Sequence, residues 1–457
     1  MPSRIRAVVV AVNERPADGL ARLDFRTLWK NASWTSGSLI VATTLLFAET
    51  ILVARFLGAT LLGYFVLIRA YPEAVQQVLD CRTRETIVKY LGEFVALDKR
   101  AQAGAVVRLI WLVDAVAGLI AMAIVLGTAA IGARYVVHDP GAAWLIALYA
   151  VSQFVGTLDS ASGSVVRVFD RFGVASAMGV FQAVTRFAGV LGALVLGGGL
   201  TALIGALVVA EVVYTLVSAA ISLSLLRKII GFRVWGGLDA IRERRREILG
   251  FLLHTNIAGT LKMSSEKLIL VIVGVFGGAT VTAQYKVASQ TGTSMMLFSD
   301  PFFQVIYPSL SKMVARKRWD AVFGGLKRLQ RVTLSVAVPA AAAVTGLMFP
   351  LLPLVFGREF KPAILPGIVI VWGVLPNVAF FWLRPLLLSL GQAKRLVQYR
   401  AIASGLQLAL TLGLVPLIGA LGAAVSLLVM HWLYAALEIR YTRQWRRGIE
   451  TGGLEAR

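Results

Sequence analysis

The chain has 457 residues, 58% of them hydrophobic and only 15% charged, with mean hydropathy +0.76 and a formal net charge of +22. Such hydropathy excludes a soluble globular protein and marks an integral membrane protein. One cysteine, Cys81, excludes an intrachain disulfide, and three scattered histidines leave no Cys/His cluster for a structural metal.

At the N-terminus the apolar run 7–12 is short and is followed by Asn13, Glu14 and Arg15, so it does not read as a cleaved signal. Apolar stretches long enough to cross about 30 Å of hydrocarbon are predicted at 30–56, 60–80, 103–131, 141–166, 173–197 and 200–226. A second set follows at 248–276, 279–311, 328–356, 362–390, 396–417 and 419–439. The expected fold is therefore all-α and integral to the membrane, with twelve transmembrane helices in two pseudo-symmetric six-helix bundles around a central cavity.

Lys and Arg fill every other connection: Arg4 to Lys30, then Arg82, Arg84, Lys89, Lys99 and Arg100, then Arg167 and Arg171, then the run from Arg227 to Arg246. The alternation continues through Arg316, Lys317, Arg318 and Lys327, through Lys394 and Arg395, and into the tail from Arg440. This bias places those connections and both termini in the cytoplasm, and it accounts for the positive charge without nucleic acid. The resulting organisation is a cytoplasmic segment 1–29, a bundle 30–228, a basic linker 229–247, a bundle 248–440 and a cytoplasmic tail 441–457. Within the linker, Trp235 precedes Arg242, Glu243, Arg244, Arg245, Arg246 and Glu247, a pattern that suits either a helix on an anionic membrane surface or a solvated run that orients its neighbours.

The two halves carry a faint repeat. Gly58-Ala59-Thr60 returns as Gly278-Ala279-Thr280, and Pro140 before the fourth segment is answered by Pro362 before the tenth. Equivalent bundles of even helix number share one orientation, so a cavity between them can open to one membrane face at a time, which points to transport.

Ionisable groups inside the predicted helices each carry an insertion penalty of about 2.5–3.5 kcal/mol near the bilayer centre, so they need partners or water. In the second helix Arg69, Glu73, Gln76 or Gln77, and Asp80 recur at helical spacing, and Pro72 sits among them. The seventh helix carries His254, Lys262 and Glu266 in a stripe with Lys267 beside it. The eighth carries Lys286, Gln290, Thr293, Asp300 and Gln304, and single charges stand at Glu49, Asp114, Asp159, Arg186, Glu211 and Arg384. One reading is mutual neutralisation that fixes helix packing. The sharper one follows from Arg69, Lys262, Lys267, Lys286 and Arg384 outnumbering the acids on their own helices: a cationic cavity suited to a phosphate or pyrophosphate. Arg55 and Arg108, near helix ends, are expected to snorkel to headgroups. Small-residue spacings at Gly274 and Gly278, Ala193 and Gly197, and Gly419 and Ala423 suit close helix crossings. No phosphate-binding loop, Gly-x-Ser-x-Gly elbow or nucleophile and base pair is present, so an enzyme is not expected.

The segment Arg55-Phe56-Leu57-Gly58-Ala59-Thr60 through Phe65, the stretch from Ala283 to Ala288 with Pro301 and Tyr307-Pro308-Ser309, and Phe356-Gly357-Arg358-Glu359-Phe360 resemble the polysaccharide flippase branch of the multidrug, oligosaccharidyl-lipid and polysaccharide exporter superfamily. Arg82 departs from that pattern, where the family often has Gly. The resemblance implies a bacterial inner-membrane flippase that carries an undecaprenyl-pyrophosphate-linked oligosaccharide outward for polysaccharide biosynthesis, with membrane lipids and polysaccharide polymerase machinery as its further partners. On that reading Arg69, Lys262, Lys267, Lys286 and Arg384 hold the pyrophosphate. No cofactor is expected, and proton or sodium coupling would run through Glu49, Glu73, Asp80, Glu266 or Asp300. The rival readings are a cation-coupled multidrug exporter of the same fold, whose cavity should be acidic, and a membrane glycan polymerase or ligase, which would need chemistry at the outer face.

Overall fold

The structure, a computed structural model, describes residues 25–79, 83–231, 237–298, 306–307, 310–311 and 313–450, with side chains throughout except at 25–33, 253–266, 297–298, 321 and 449–450. Among these residues it is helical and has no strand. The helices are α1 (Phe25–Leu79), α2 (Thr83–Ala96), α3 (Arg100–Gly132), α4 (Ala143–Val168), α5 (Phe172–Val195) and α6 (Gly199–Ile230). After the linker come α7 (Arg245–Thr293), α8 (Trp319–Phe356), α9 (Ile364–Ala379), α10 (Leu383–Ser389), α11 (Ala393–Ile418) and α12 (Ala420–Glu450). Ten spans among the described residues are long and apolar enough to cross a membrane. Their outward faces are apolar, with Leu196 86% and Leu417 77% exposed, a surface that only lipid can cover. The chain is a multi-pass membrane protein.

α1 reverses at Gly58. In a continuous helix Glu49 and Arg69 would stand roughly 30 Å apart, yet their side chains pair at 3.3 Å. Gly58 takes φ +77°, open to glycine at little cost. α7 does the same at Gly278, φ +72°, and its two arms bring Lys267 and Lys286 to one cavity. The repeated Gly-Ala-Thr thus marks two equivalent reversals, and they touch: the Thr60 and Thr280 hydroxyls lie 3.1 Å apart. Gly63 is required beside them, because a Cβ there would fall 1.9 Å from the Ala279 carbonyl oxygen.

Two further bonds latch this end. The Ala59 N–H donates to Glu359 Oε2 (2.9 Å), which caps the second arm of α1 where the first N–H groups lack helical partners. Arg55, exposed near the end of the first arm, bonds back to the protein, its Nε donating to the Val355 carbonyl at 2.7 Å. Arg108 likewise bonds the carbonyls of Gly104 and Gly237. The small-residue reading holds at Gly274, where a Cβ would meet Leu67 at 2.4 Å.

The buried apolar residues gather into several cores. One large apolar core joins both halves at the latched end, running through Val53, Phe65 and Ile68 of α1, Ile269 and Val287 of α7, and Phe356, Ile370 and Ala423. Two smaller cores lie apart from it, one around Ile87, Tyr90, Ile110 and Leu226 that also takes in Ile248 and Leu252 of α7, and another around Leu310, Val322 and Leu386.

Three predicted elements are corrected. The segment 362–390 divides into a 3₁₀ turn Arg358–Ala363, α9 and α10, because Pro385 has no N–H for the carbonyl of residue 381 and suits only a new first turn. The connection after the second segment contains α2, whose Ile87, Tyr90, Leu91 and Phe94 are buried at helical spacing while Arg84, Glu85 and Lys89 face out. α12 continues eleven residues beyond 439, since its cationic last turns extend into water.

The linker is held to α2 by charge; Trp235 lies outside the described residues. Arg244 donates to Glu247 (2.9 Å) and to Glu93, and the Tyr90 hydroxyl donates to Glu247 (3.0 Å). The Arg244 bond, with that from Tyr90, holds Glu247 down at about 2 against its usual 4.5. Burial, then the bond to Glu247, pushes Tyr90 up to about 12 from 10.0. The lowered carboxylate favours docking above pH 4.5 and loses that effect as pH falls towards 2; the raised phenol favours it below pH 10 and loses it towards 12. Hydrogen exchange across 83–96 should therefore be slow from about pH 5 to 9 and quicken on acidification, and Glu247→Gln should remove that acid limb.

At the latch, Thr60→Cys with Thr280→Cys in a Cys81→Ser background should form a disulfide under mild oxidation. Its yield, read by mass spectrometry, should drop when Gly63→Leu forces the two reversals apart.

Candidate functional site

A cavity of about 570 Å³ is lined by α1, α4, α5, α6 and α7. The second arm of α1 contributes Arg69, Glu73, Gln76 and Gln77; α4 contributes Tyr149, Ser152, Gln153, Gly156, Thr157, Asp159 and Ser160. α5 adds Gln182 and Arg186, α6 adds Glu211, and α7 adds Lys267 and Lys286 from the opposite half. Arg84 completes the charged lining, giving five bases against three carboxylates.

The cations sit in a chain of ion pairs that runs from α5 through both arms of α1 to α7. Glu49, 2% exposed, accepts two hydrogen bonds from Arg186, at 2.7 and 2.8 Å, the bidentate geometry that is strongest for this pair. Its Oε1 also accepts from Arg69 at 3.3 Å. Arg69 reaches on to Glu73, one turn along the same arm, at 3.6 Å, and lies over the rings of Phe65 (5.0 Å) and Tyr149 (5.9 Å). Glu73 accepts a hydrogen bond from the Tyr149 hydroxyl (2.8 Å) and pairs with Lys267 of α7, so the last link joins one half to the other. Thr50 adds a neutral bridge to Gln290 at 3.0 Å. Lys286 faces the same space without an ion pair within 4.0 Å among the described residues.

Of the five bases singled out as phosphate contacts, the structure brings Arg69, Lys267 and Lys286 together. Arg384 lies apart on α10, exposed, beside Glu438 and Tyr434 of α12. Lys262 is on α7, with its side chain outside the described residues. Of the proposed coupling acids, Glu49 and Glu73 are the two carboxylates of the ion chain. The Glu266 side chain, Asp80 and Asp300 lie outside the described residues.

Counting acids on each base's own helix overstates the free charge, because Arg69 also meets Glu49 from the far arm of its hairpin and Lys267 meets Glu73 from the other half. Sequence reasoning also passed over Arg186 as a site residue, Tyr149, Gln182 and the polar face of α4. The last had a visible signal: Ser152, Gln153, Gly156, Thr157 and Ser160 recur at three- and four-residue spacing in an otherwise apolar segment.

Glu49 is therefore a keystone and Lys286 a free hand. Glu49→Ala, which removes the buried carboxylate from two half-buried guanidiniums, should destabilise by about 3 kcal/mol, seen as a lowered Tm in detergent. Lys286→Ala should leave Tm unchanged or raised.

Residues 94–365 match the family model described as "Polysaccharide biosynthesis protein". The chain is 24% identical over 353 residues to inner membrane protein YghQ of Escherichia coli (strain K12), which covers 74% of this chain and 95% of that protein. Among solved structures it is similar to lipid II flippase MurJ in an inward closed conformation, with TM-score 0.72 at 14% identity over 90% of this chain and 87% of that one. It is also similar to a multidrug resistance MATE family transporter of the MOP superfamily in an inward-facing conformation, with TM-score 0.69 at 12% identity over 90% and 96%. At these identities the structural likeness speaks for the fold.

Proposed function

Since the chain belongs to the polysaccharide biosynthesis protein family and has the fold of the MOP exporter superfamily, we propose that it is a flippase carrying an undecaprenyl-pyrophosphate-linked oligosaccharide from the inner to the outer leaflet of a bacterial inner membrane. The observation that carries this reading is the base excess in the cavity, with Lys286 beside Lys267 and Arg69 and without an ion pair among the described residues. In a low-dielectric wall such a cluster attracts an anion strongly. Lys286 contacts the pyrophosphate first, Lys267 and Arg69 join it, the glycan occupies the hydrated cavity and the polyprenyl tail remains in lipid. A cavity of this charge disfavours the cationic drugs of a multidrug exporter.

The two reversals support a twelve-crossing organisation, because counting both arms of α1 and of α7 raises ten spans to twelve. The halves are then 30–228 and 248–440, joined by the linker 229–247. On this reading the Lys- and Arg-rich connections and both termini face the cytoplasm, the cavity opens inward, the Gly58 and Gly278 reversals lie towards the outer side, and outward opening breaks the Thr60, Ala59 and Arg55 contacts. Two negative charges moved outward through 100 mV, inside negative, would release about 4.6 kcal/mol, from about 2.3 kcal/mol per charge. Proton or sodium coupling through Glu73, which ties the halves together through Lys267, adds a second source of drive.

The test is complementation of a deletion strain, with lipid-linked sugar assayed on each leaflet. At equal membrane level Lys286→Ala should cut outer-leaflet delivery by about tenfold, the loss of one charge-assisted contact, and Lys286→Arg should retain most of it. Normal delivery by a Lys267→Ala, Lys286→Ala double variant would remove the cation cluster as the cargo site.

A further inference from the structure

Four of the five lining bases, Arg69, Arg186, Lys267 and Lys286, belong to one cluster, and Arg84 stands apart from them near Asp159. About two helical turns along α1 from Arg69, roughly 10 Å, the wall changes to amides, hydroxyls and two carboxylates. α4 turns Ser152, Gln153, Thr157 and Ser160 towards the space, and Gln76 Nε2 donates to Thr157 Oγ1 at 3.1 Å. Gln77 Oε1 is buried with no hydrogen-bond partner. A polar wall of this extent inside a membrane protein is costly unless something polar fills it.

The carboxylates give that wall its character. Asp159 accepts from the Tyr214 hydroxyl (2.9 Å) and from Ser218. Glu211 accepts only a long bond from Gln182 (3.4 Å). Among the described residues neither carries an ion pair within 4.0 Å, unlike Glu49 and Glu73 in the cationic end. Gly156 cuts the wall back in front of Glu211: a Cβ at that position would stand 2.8 Å from Glu211 Oε1.

The geometry points to a sugar subsite here, formed by Gln77, Gln153, Thr157, Asp159 and Glu211, which takes an uncharged or amino-bearing carrier-proximal sugar and rejects a uronic acid. It rests on the proposed pyrophosphate position at Lys286 and Lys267. Sugar hydroxyls need donors and acceptors together, which the amides, hydroxyls and two carboxyl groups supply. A carboxylate on the sugar would instead meet two carboxylates that no base holds in an ion pair within 4.0 Å among the described residues, in surroundings that screen poorly.

The test uses the full chain in detergent and three soluble probes: farnesyl pyrophosphate, its N-acetylglucosaminyl diester and its glucuronosyl diester. Binding is followed by calorimetry. The two diesters share one diphosphate charge, so their ratio reports the sugar alone. The N-acetylglucosaminyl probe should bind about tenfold more tightly than the glucuronosyl probe, the scale of one charged hydrogen bond gained or opposed. Glu211→Gln, and more so Glu211→Gln with Asp159→Asn, should shrink that ratio to about threefold or less. Should the double variant fail to fold, the single Glu211→Gln variant and Gln153→Leu, which should weaken both diesters equally, still decide. Equal binding of the two diesters by the wild type, while farnesyl pyrophosphate binds and responds to Lys286→Ala, would overturn the subsite and leave the phosphate reading standing. Absence of farnesyl pyrophosphate binding, or binding indifferent to Lys286→Ala, would overturn both.

Discussion

A charge within a bilayer must be neutralised or hydrated, and the arrangement of Glu49, Arg186, Arg69, Glu73 and Lys267 follows from that constraint. Glu49 is wholly enclosed and holds two guanidiniums, so it fixes the first arm of α1 against the second arm and α5. Glu73 is less enclosed and holds a lysine from the other half. The difference in burial separates their roles. Removing Glu49 strands charge inside one half, whereas parting Glu73 from Lys267 exposes both to a cavity where water or an anion can take over.

That separation matches the distribution of apolar packing. The shared core and the Gly-Ala-Thr contact hold the two halves together at one end, and two smaller cores lie apart from that core. The close approach at Gly63 and the Glu359 cap add polar contacts at the edge of that shared core. The linker is pinned to α2 by Arg244, Glu93, Glu247 and Tyr90, so motion between the halves is borne beyond that point, towards the first arm of α7.

The cavity therefore has two chemical ends on one surface. Its cationic end is assembled from both halves and its amide and carboxylate end from the N-terminal half alone. A ligand that fills both must be anionic at one point and rich in hydroxyls at another. A sugar joined to a diphosphate is such a molecule, and membership of the polysaccharide biosynthesis family agrees with it.

Much of this was legible in the residues themselves. Apolar length and the alternation of Lys and Arg between segments are properties of local sequence, because lipid thickness and surface charge act on each segment separately. The repeat at Gly58 and Gly278 was visible because a reversal with positive φ restricts residue choice at that point. Arg69, Lys267 and Lys286 could be named because any base in an apolar helix is costly. What tertiary structure alone decided was pairing. Glu49 meets Arg186 across 137 residues and Glu73 meets Lys267 across 194, separations at which no helical periodicity carries information. Arg384, alike in sequence terms, sits elsewhere, and only the packing of α10 on α12 shows it. Each ionisable residue announces its need for a partner, but which partner answers depends on how the helices cross.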